Sequence, residues 1–122
     1  MAQIIAKEAL LIDGFGREFE GYRYDNTNVS FIIVEAKPGE GPKLHSHPYE
    51  EVFIVQEGQA TYTVGSDTIE ATAGQIVIGP ADIPHKFINS GTGILRQVDI
   101  HASPRFITTW YDESAVTYNR KK

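Results

Sequence analysis

Apolar positions in this chain come in short runs, each cut off by glycine or proline within eight residues. Seven runs read as strands: 29–36, 51–56, 59–64, 68–72, 75–78, 85–88 and 94–101. Several are rich in Val, Ile, Thr, Tyr and Phe, which suit a pleated, half-buried surface. Turn signals fall between them at Lys37-Pro38-Gly39, Glu57-Gly58, Gly65-Ser66-Asp67, Ala73-Gly74, Gly79-Pro80-Ala81-Asp82 and Asn89-Ser90-Gly91. Residues 59–72 predict a hairpin that turns at Gly65-Ser66-Asp67. No window carries a helical stripe longer than two turns. Evenly spaced short strands of this kind predict an all-β domain, either an antiparallel sandwich or a small barrel.

Length keeps that picture to one domain, since 122 residues are too few for two separate cores and show no linker or repeat. The absence of cysteine excludes a disulfide framework, thiolate metal sites, iron–sulfur clusters and thiol catalysis. A hydrophobic share of 41% is too high for a disordered chain. Net charge is −5, and the basic cluster Arg120-Lys121-Lys122 is confined to the terminus, so nucleic acid is not an expected partner. The apolar runs, such as 31–34 and 76–78, do not exceed four residues and are far short of a membrane span, and the first residues lack a secretory pattern. A cytoplasmic protein with no membrane partner is the expectation.

Chemistry concentrates on histidine. His45, His47, Glu51, Phe53 and Val55 are all odd-numbered, so on an extended backbone two imidazoles and a carboxylate share one face with core residues. Glu50 then points the other way, into solvent. His85 opens a later strand directly after Pro84. Three imidazoles and one carboxylate suit a divalent transition metal such as Fe, Mn, Ni, Zn or Cu rather than Mg or Ca. In an octahedral shell, four such ligands leave two positions open for water, dioxygen or a chelating substrate.

The two clusters resemble the paired motifs of the cupin superfamily. The first motif, G-x5-H-x-H-x3-E-x6-G, is matched at Gly39, His45, His47, Glu51 and Gly58 (residues 39–58). The second, G-x5-P-x-G-x2-H-x3-N, is matched at Gly74, Pro80, His85 and Asn89 (residues 74–89), with Asp82 where the family usually has glycine. Aspartate tolerates a left-handed backbone, so the turn can survive the change. The resemblance implies a single cupin domain over 1–122, an antiparallel jelly-roll β-barrel. It also implies that His45, His47, Glu51 and His85 bind one divalent transition metal ion (Fe, Mn, Zn or Ni) near one mouth of the barrel. Many small cupins dimerise, so a homodimer is expected. The apolar stretches 9–12 and 106–110 are candidates for its surface, or for ordinary packing on the outer wall.

Other residues stay open at this level. Along 95–101, Leu95, Gln97, Asp99 and His101 alternate with Arg96, Val98 and Ile100. If Val98 and Ile100 face inward, His101 lies on the surface or at a dimer edge. If the polar face lines the cavity, Asp99 and His101 become acid–base or supporting groups beside the metal. Arg105 stands either at the pocket mouth, where it would meet an anionic substrate, or in solvent. Lys43 reads as a solvated rim residue. Tyr22, Tyr24, Phe31, Phe53, Tyr62 and Phe87 read as core or barrel wall.

Three functional classes fit. The first is a dioxygenase-type oxidoreductase acting on a small oxygenated organic substrate. The second is a redox-neutral isomerase, lyase or cyclase acting on a sugar acid, keto acid or polyketide-like compound, with Glu51, Tyr62 or His101 moving protons. The third is a small-molecule-binding module without turnover. No helix-turn-helix stretch accompanies the motifs, which weighs against a regulator, and the oxygenase reading stands first. Fold-level analogy does not choose among the three.

Overall fold

A computed structural model describes residues 2–113. Its strands are β1 (Leu11–Asp13), β2 (Gly16–Phe19), β3 (Ser30–Ala36), β4 (His45–Ser46), β5 (Glu51–Glu57), β6 (Gln59–Val64), β7 (Asp67–Thr72), β8 (Ile76–Gly79), β9 (His85–Asn89), β10 (Leu95–His101) and β11 (Thr109–Trp110). They form two antiparallel sheets, one in the order β1-β2-β3-β10-β5-β8 and the other β11-β4-β9-β6-β7. All seven runs read from the sequence are strands. The hairpin is β6–β7, with Val64 paired to Asp67 across Gly65-Ser66. The four strands not anticipated have two to four residues each, too short for a period of two to stand out. Among the described residues, no helix is long and apolar enough to cross a membrane.

The core fills one end of the space between the sheets. Val34, Ala36, Phe53, Val55, Ala60, Tyr62, Val77, Phe87 and Leu95 are all buried there. Each large apolar side chain contributes roughly 1.5–3 kcal/mol through removal from water. The same strands then run on into polar territory. Paired rungs of β5 and β10 join Val55 to Gln97, Phe53 to Asp99 and Glu51 to His101. Chemistry and packing are therefore successive stretches of the same inward faces.

β10 settles the alternation left open by the sequence. Leu95, Gln97, Asp99 and His101 are buried, whereas Arg96 is exposed and Val98 and Ile100 are half-buried on the outer wall. The outer face can afford to be apolar because β3 and β5 flank β10 in register: Ile33, Val98 and Ile54 form one row, and Phe31, Ile100 and Val52 the next. His101 is thus an interior residue. The stretch 9–12 divides, with Leu10 buried and Leu11 and Ile12 exposed.

Two backbone features hold the ligand-bearing loops. Asp82, the residue that replaces a family glycine, has φ +66°, and its N–H donates to the His47 carbonyl at 2.7 Å. Gly41 is more demanding: a Cβ there would lie 1.9 Å from the Phe87 carbonyl oxygen. At Gly39, φ is +87° but the space around it is open. Gly41→Ala should therefore destabilise by more than about 3 kcal/mol, because backbone must move. Gly39→Ala should cost only roughly 1–2 kcal/mol of left-handed strain. Urea denaturation of the two variants side by side checks the order.

Candidate metal centre

β4, β5 and β9 bring four side chains from two distant motifs to one point. His45, His47, Glu51 and His85 are all buried, and one potential ligand atom from each lies within 4.8 Å of the others. His45 and His85 face each other as register partners of β4 and β9. The extended parity of the first motif survives the bend at Pro48-Tyr49: His45, His47, Glu51, Phe53 and Val55 are all inward, and Glu50 is exposed.

Each of the three imidazoles is fixed from behind by a backbone carbonyl. Nδ1 of His45 meets Lys43 O at 2.6 Å, that of His47 meets Ile107 O at 2.9 Å, and that of His85 meets Ile83 O at 3.1 Å. A carbonyl only accepts, so the Nδ1 of His45 and His47 carry the proton and these neutral rings present a bare Nε2 to the cavity, while both nitrogens of His85 face acceptors, Ile83 O and Glu51 Oε1. Nε2 of His85 lies 2.9 Å from Glu51 Oε1 in hydrogen-bonding geometry, whereas Nε2 of His47 lies 3.1 Å from the same oxygen, lone pair facing lone pair. Nε2 of His47 is buried without a hydrogen bond of acceptable geometry. A divalent cation bound by Glu51 and the three rings relieves this repulsion, so the residues present fit a metal.

The electrostatics agree. Burial brings the His45 imidazole down to about 4 against the pull of the Lys43 carbonyl, keeping it neutral and able to coordinate. Burial alone would raise Glu51, but His101, the foremost of the groups that oppose it, holds the carboxyl well below its ordinary range.

The other oxygen of Glu51 has a different partner. Oε2 lies 3.0 Å from Nε2 of His101, whose Nδ1 is 2.7 Å from the Tyr49 hydroxyl. Burial pushes Tyr49 up to about 12, so it remains a phenol and donates. It accepts in turn from the Ile107 N–H at 3.3 Å. His101 therefore keeps its proton at Nε2, which lies close to Glu51 Oε2 but, like His47 Nε2, makes no hydrogen bond of acceptable geometry. Its place is behind the carboxylate, orienting it. Tyr49 also stacks on His47, with ring centroids 5.0 Å apart and planes at 9°. Its odd number, shared with His47 and Glu51, was the available signal for it.

The cavity beside the four ligands has a volume of about 370 Å³. Phe53 and Phe87 form part of its wall, and Asp99 and His101 also line it. So do Phe106 and Trp110 from the stretch 106–110, which belongs at least partly to the pocket. Tyr62 lies outside: it is fully buried in the core, and its hydroxyl donates to Gln97 Oε1 at 2.5 Å, so it does not face a substrate. Arg105 is exposed, with its guanidinium 3.9 Å above the Tyr22 ring, and it does not line the cavity. Lys43 is exposed, as a rim residue should be.

Protein purified without chelators should carry close to one divalent transition metal per chain by elemental analysis. His45→Ala/His47→Ala should carry none while retaining its fold. In metal-free protein a second effect follows from the lowered His45. Between pH 6.5 and about 4 the unfolded chain takes up a proton at this residue that the folded chain refuses. The parent should therefore lose stability relative to His45→Gln as pH falls through that window, as read by urea titrations at several pH values.

Similarity to known proteins agrees with this geometry. A family model described as a cupin domain matches residues 32–101. Polyketide synthase CurC of Streptomyces cyaneus is 38% identical over 69 residues, 56% of this chain and 44% of that protein. The HTH-type transcriptional regulator PuuR of Escherichia coli is 30% identical over 83 residues, 66% of this chain and 44% of the regulator. The chain thus spans less than half the length of either relative. Among solved structures, Lactobacillus farciminis oxalate decarboxylase superposes with a TM-score of 0.73 at 22% identity, over 88% of this chain and 35% of that one. A double-stranded β-helix protein from Klebsiella pneumoniae superposes with a TM-score of 0.69 at 20% identity, over 92% of this chain and 99% of its own. With both motifs in place on a two-sheet barrel, the chain belongs to the cupin family.

Proposed function

We propose that this cupin is a metal-dependent enzyme that moves protons on a small oxygenated substrate, as an isomerase, lyase or cyclase does. The observation that carries the reading is Asp99, a buried carboxyl lining the same cavity as the metal ligands. Proton transfer is the central event of the redox-neutral class, and a buried acid–base group beside the cluster serves it directly. The relative named as a polyketide synthase supports a carbonyl-bearing organic substrate.

A divalent ion held by His45, His47, Glu51 and His85 would act as a Lewis acid, polarising a substrate oxygen. The remaining work falls to the protein. Burial and the nearby Glu51 push Asp99 well above the ordinary aspartate range, and its bond from Gln97 only partly opposes them. Burial, the larger of the two causes, persists when a cation compensates Glu51, and a carboxyl raised by it serves as a general acid and, once it has given up its proton, as the matching base. Gln97 sets its orientation: the amide nitrogen donates to Asp99 Oδ1 at 2.7 Å, leaving Oδ2 for a substrate. Gln97 is itself steered by the Tyr62 hydroxyl, so the acid rests on a buried chain of three side chains. His101 and Tyr49 keep Glu51 aligned as a ligand.

Zinc-loaded protein, held under anaerobic conditions in deuterated water, should exchange the α-hydrogens of enolisable ketones, followed by NMR. Asp99→Asn keeps the acceptor for Gln97 but has no acidic proton. It should slow exchange by roughly 100-fold or more with its metal content unchanged. Oxygen uptake with Fe(II), without anaerobic exchange in any metal form, would overturn the reading in favour of the dioxygenase class.

A further inference from the structure

The cavity lined by His45, His47 and Glu51 has a one-sided charge pattern. Among the described residues, no lysine or arginine lines it. Its charged groups outside the ligand set are acidic or ring nitrogen: Asp13 and Glu18 from β1–β2, Asp99 and His101 from β10. Asp13 is exposed and Glu18 half-buried, which places both toward solvent, while Asp99 lies deep. Burial, reinforced by Asp13 and Glu20, raises Glu18 above the ordinary range, as expected where negative charge has accumulated.

The rest of the wall is aromatic and aliphatic. Trp110 is 61% exposed yet its ring centre lies 4.9 Å from that of His45. Phe106 meets His101 edge-on at 4.9 Å. Flat apolar surfaces therefore stand against the ligand histidine on one side and against the residue that aligns Glu51 on the other. A tryptophan so exposed loses much of its contact with water when a flat ligand covers it.

From this pattern we infer that the site takes uncharged aromatic compounds bearing two neighbouring oxygens, such as an acyl phenol, and rejects small carboxylates. The inference rests on the metal-site reading for its chelating end, and on the walls for the rest. A dicarboxylate entering here passes two carboxylates, and beyond the metal ion itself it meets no guanidinium or ammonium to replace the hydration lost by its non-coordinating oxygens. The sugar-acid and keto-acid alternatives fall with that argument. A neutral ring meets no such penalty, and its faces match Phe106 and Trp110.

The test uses 2-acetyl-1-naphthol and oxalate as probes on metal-loaded protein, by calorimetric titration and by quenching of Trp110, the sole tryptophan. Metal content is measured separately on the same samples. The naphthol should bind and quench, Phe106→Ala should weaken it roughly tenfold, and oxalate should bind at least 100-fold more weakly. Glu18→Lys should narrow that ratio by strengthening oxalate. Oxalate binding as tightly as the naphthol, or loaded protein that ignores the naphthol, overturns the inference while the metal site stands. Naphthol binding to a protein that takes up no metal upholds the aromatic pocket and removes the metal reading. Silence toward metal and naphthol alike overturns both.

Discussion

A single buried carboxylate organises this barrel. Glu51 sits on β5 with Oε1 toward His47 and His85 and Oε2 toward His101, so its two oxygens tie β4, β9 and β10 to one point. An ionised carboxyl at such depth is tolerable only if both oxygens are compensated. His101 faces one oxygen, and a cation at the other would complete the compensation. The carbonyls of Lys43 and Ile107 hold the Nδ1 protons of His45 and His47 on the outside, and the Tyr49 hydroxyl holds the opposite tautomer on His101. Two rings are thereby prepared to coordinate, and neither needs to reorient when an ion arrives.

Legibility in the sequence followed the length scale of the signal. The longer strands and the grouping of His45, His47, Glu51 and His85 could be read because both depend on local spacing: a period of two, and the fixed intervals within each motif. Asp82 was legible as a turn because left-handed backbone is a property of one residue. What could not be read depended on pairing between distant segments. His101 faces inward because β10 pairs with β5 in a register that sets it opposite Glu51, and parity does not carry across the loop that precedes β10. Gly41 matters because β9 passes 1.9 Å from where its Cβ would be, which no local pattern encodes. Phe106 and Trp110 reach the cavity only because β11 pairs with β4, setting Trp110 beside His45.

The same pairing explains why stability and chemistry cannot be separated in this molecule. Val55, Phe53 and Glu51 descend β5 as Gln97, Asp99 and His101 descend β10, so a shift of either strand would move core and site at once. The polar chain from Tyr62 through Gln97 to Asp99 crosses from one region to the other. Buried polar networks of this kind favour one arrangement of the strands over slipped alternatives, because partial satisfaction is worse than none.

The cavity wall, in contrast, is assembled from parts with different obligations. Its floor belongs to β5, β9 and β10, where every side chain is also a barrel contact. Its rim comes from β1–β2 and from residues 106–110, with Asp13 largely free of packing duties. Ligand preference can therefore be rewritten at the rim while the reacting centre is left as it is. A library confined to positions 13 and 18 would vary what enters without touching the rings packed on the reacting centre, which makes this small barrel a practical scaffold for retargeting.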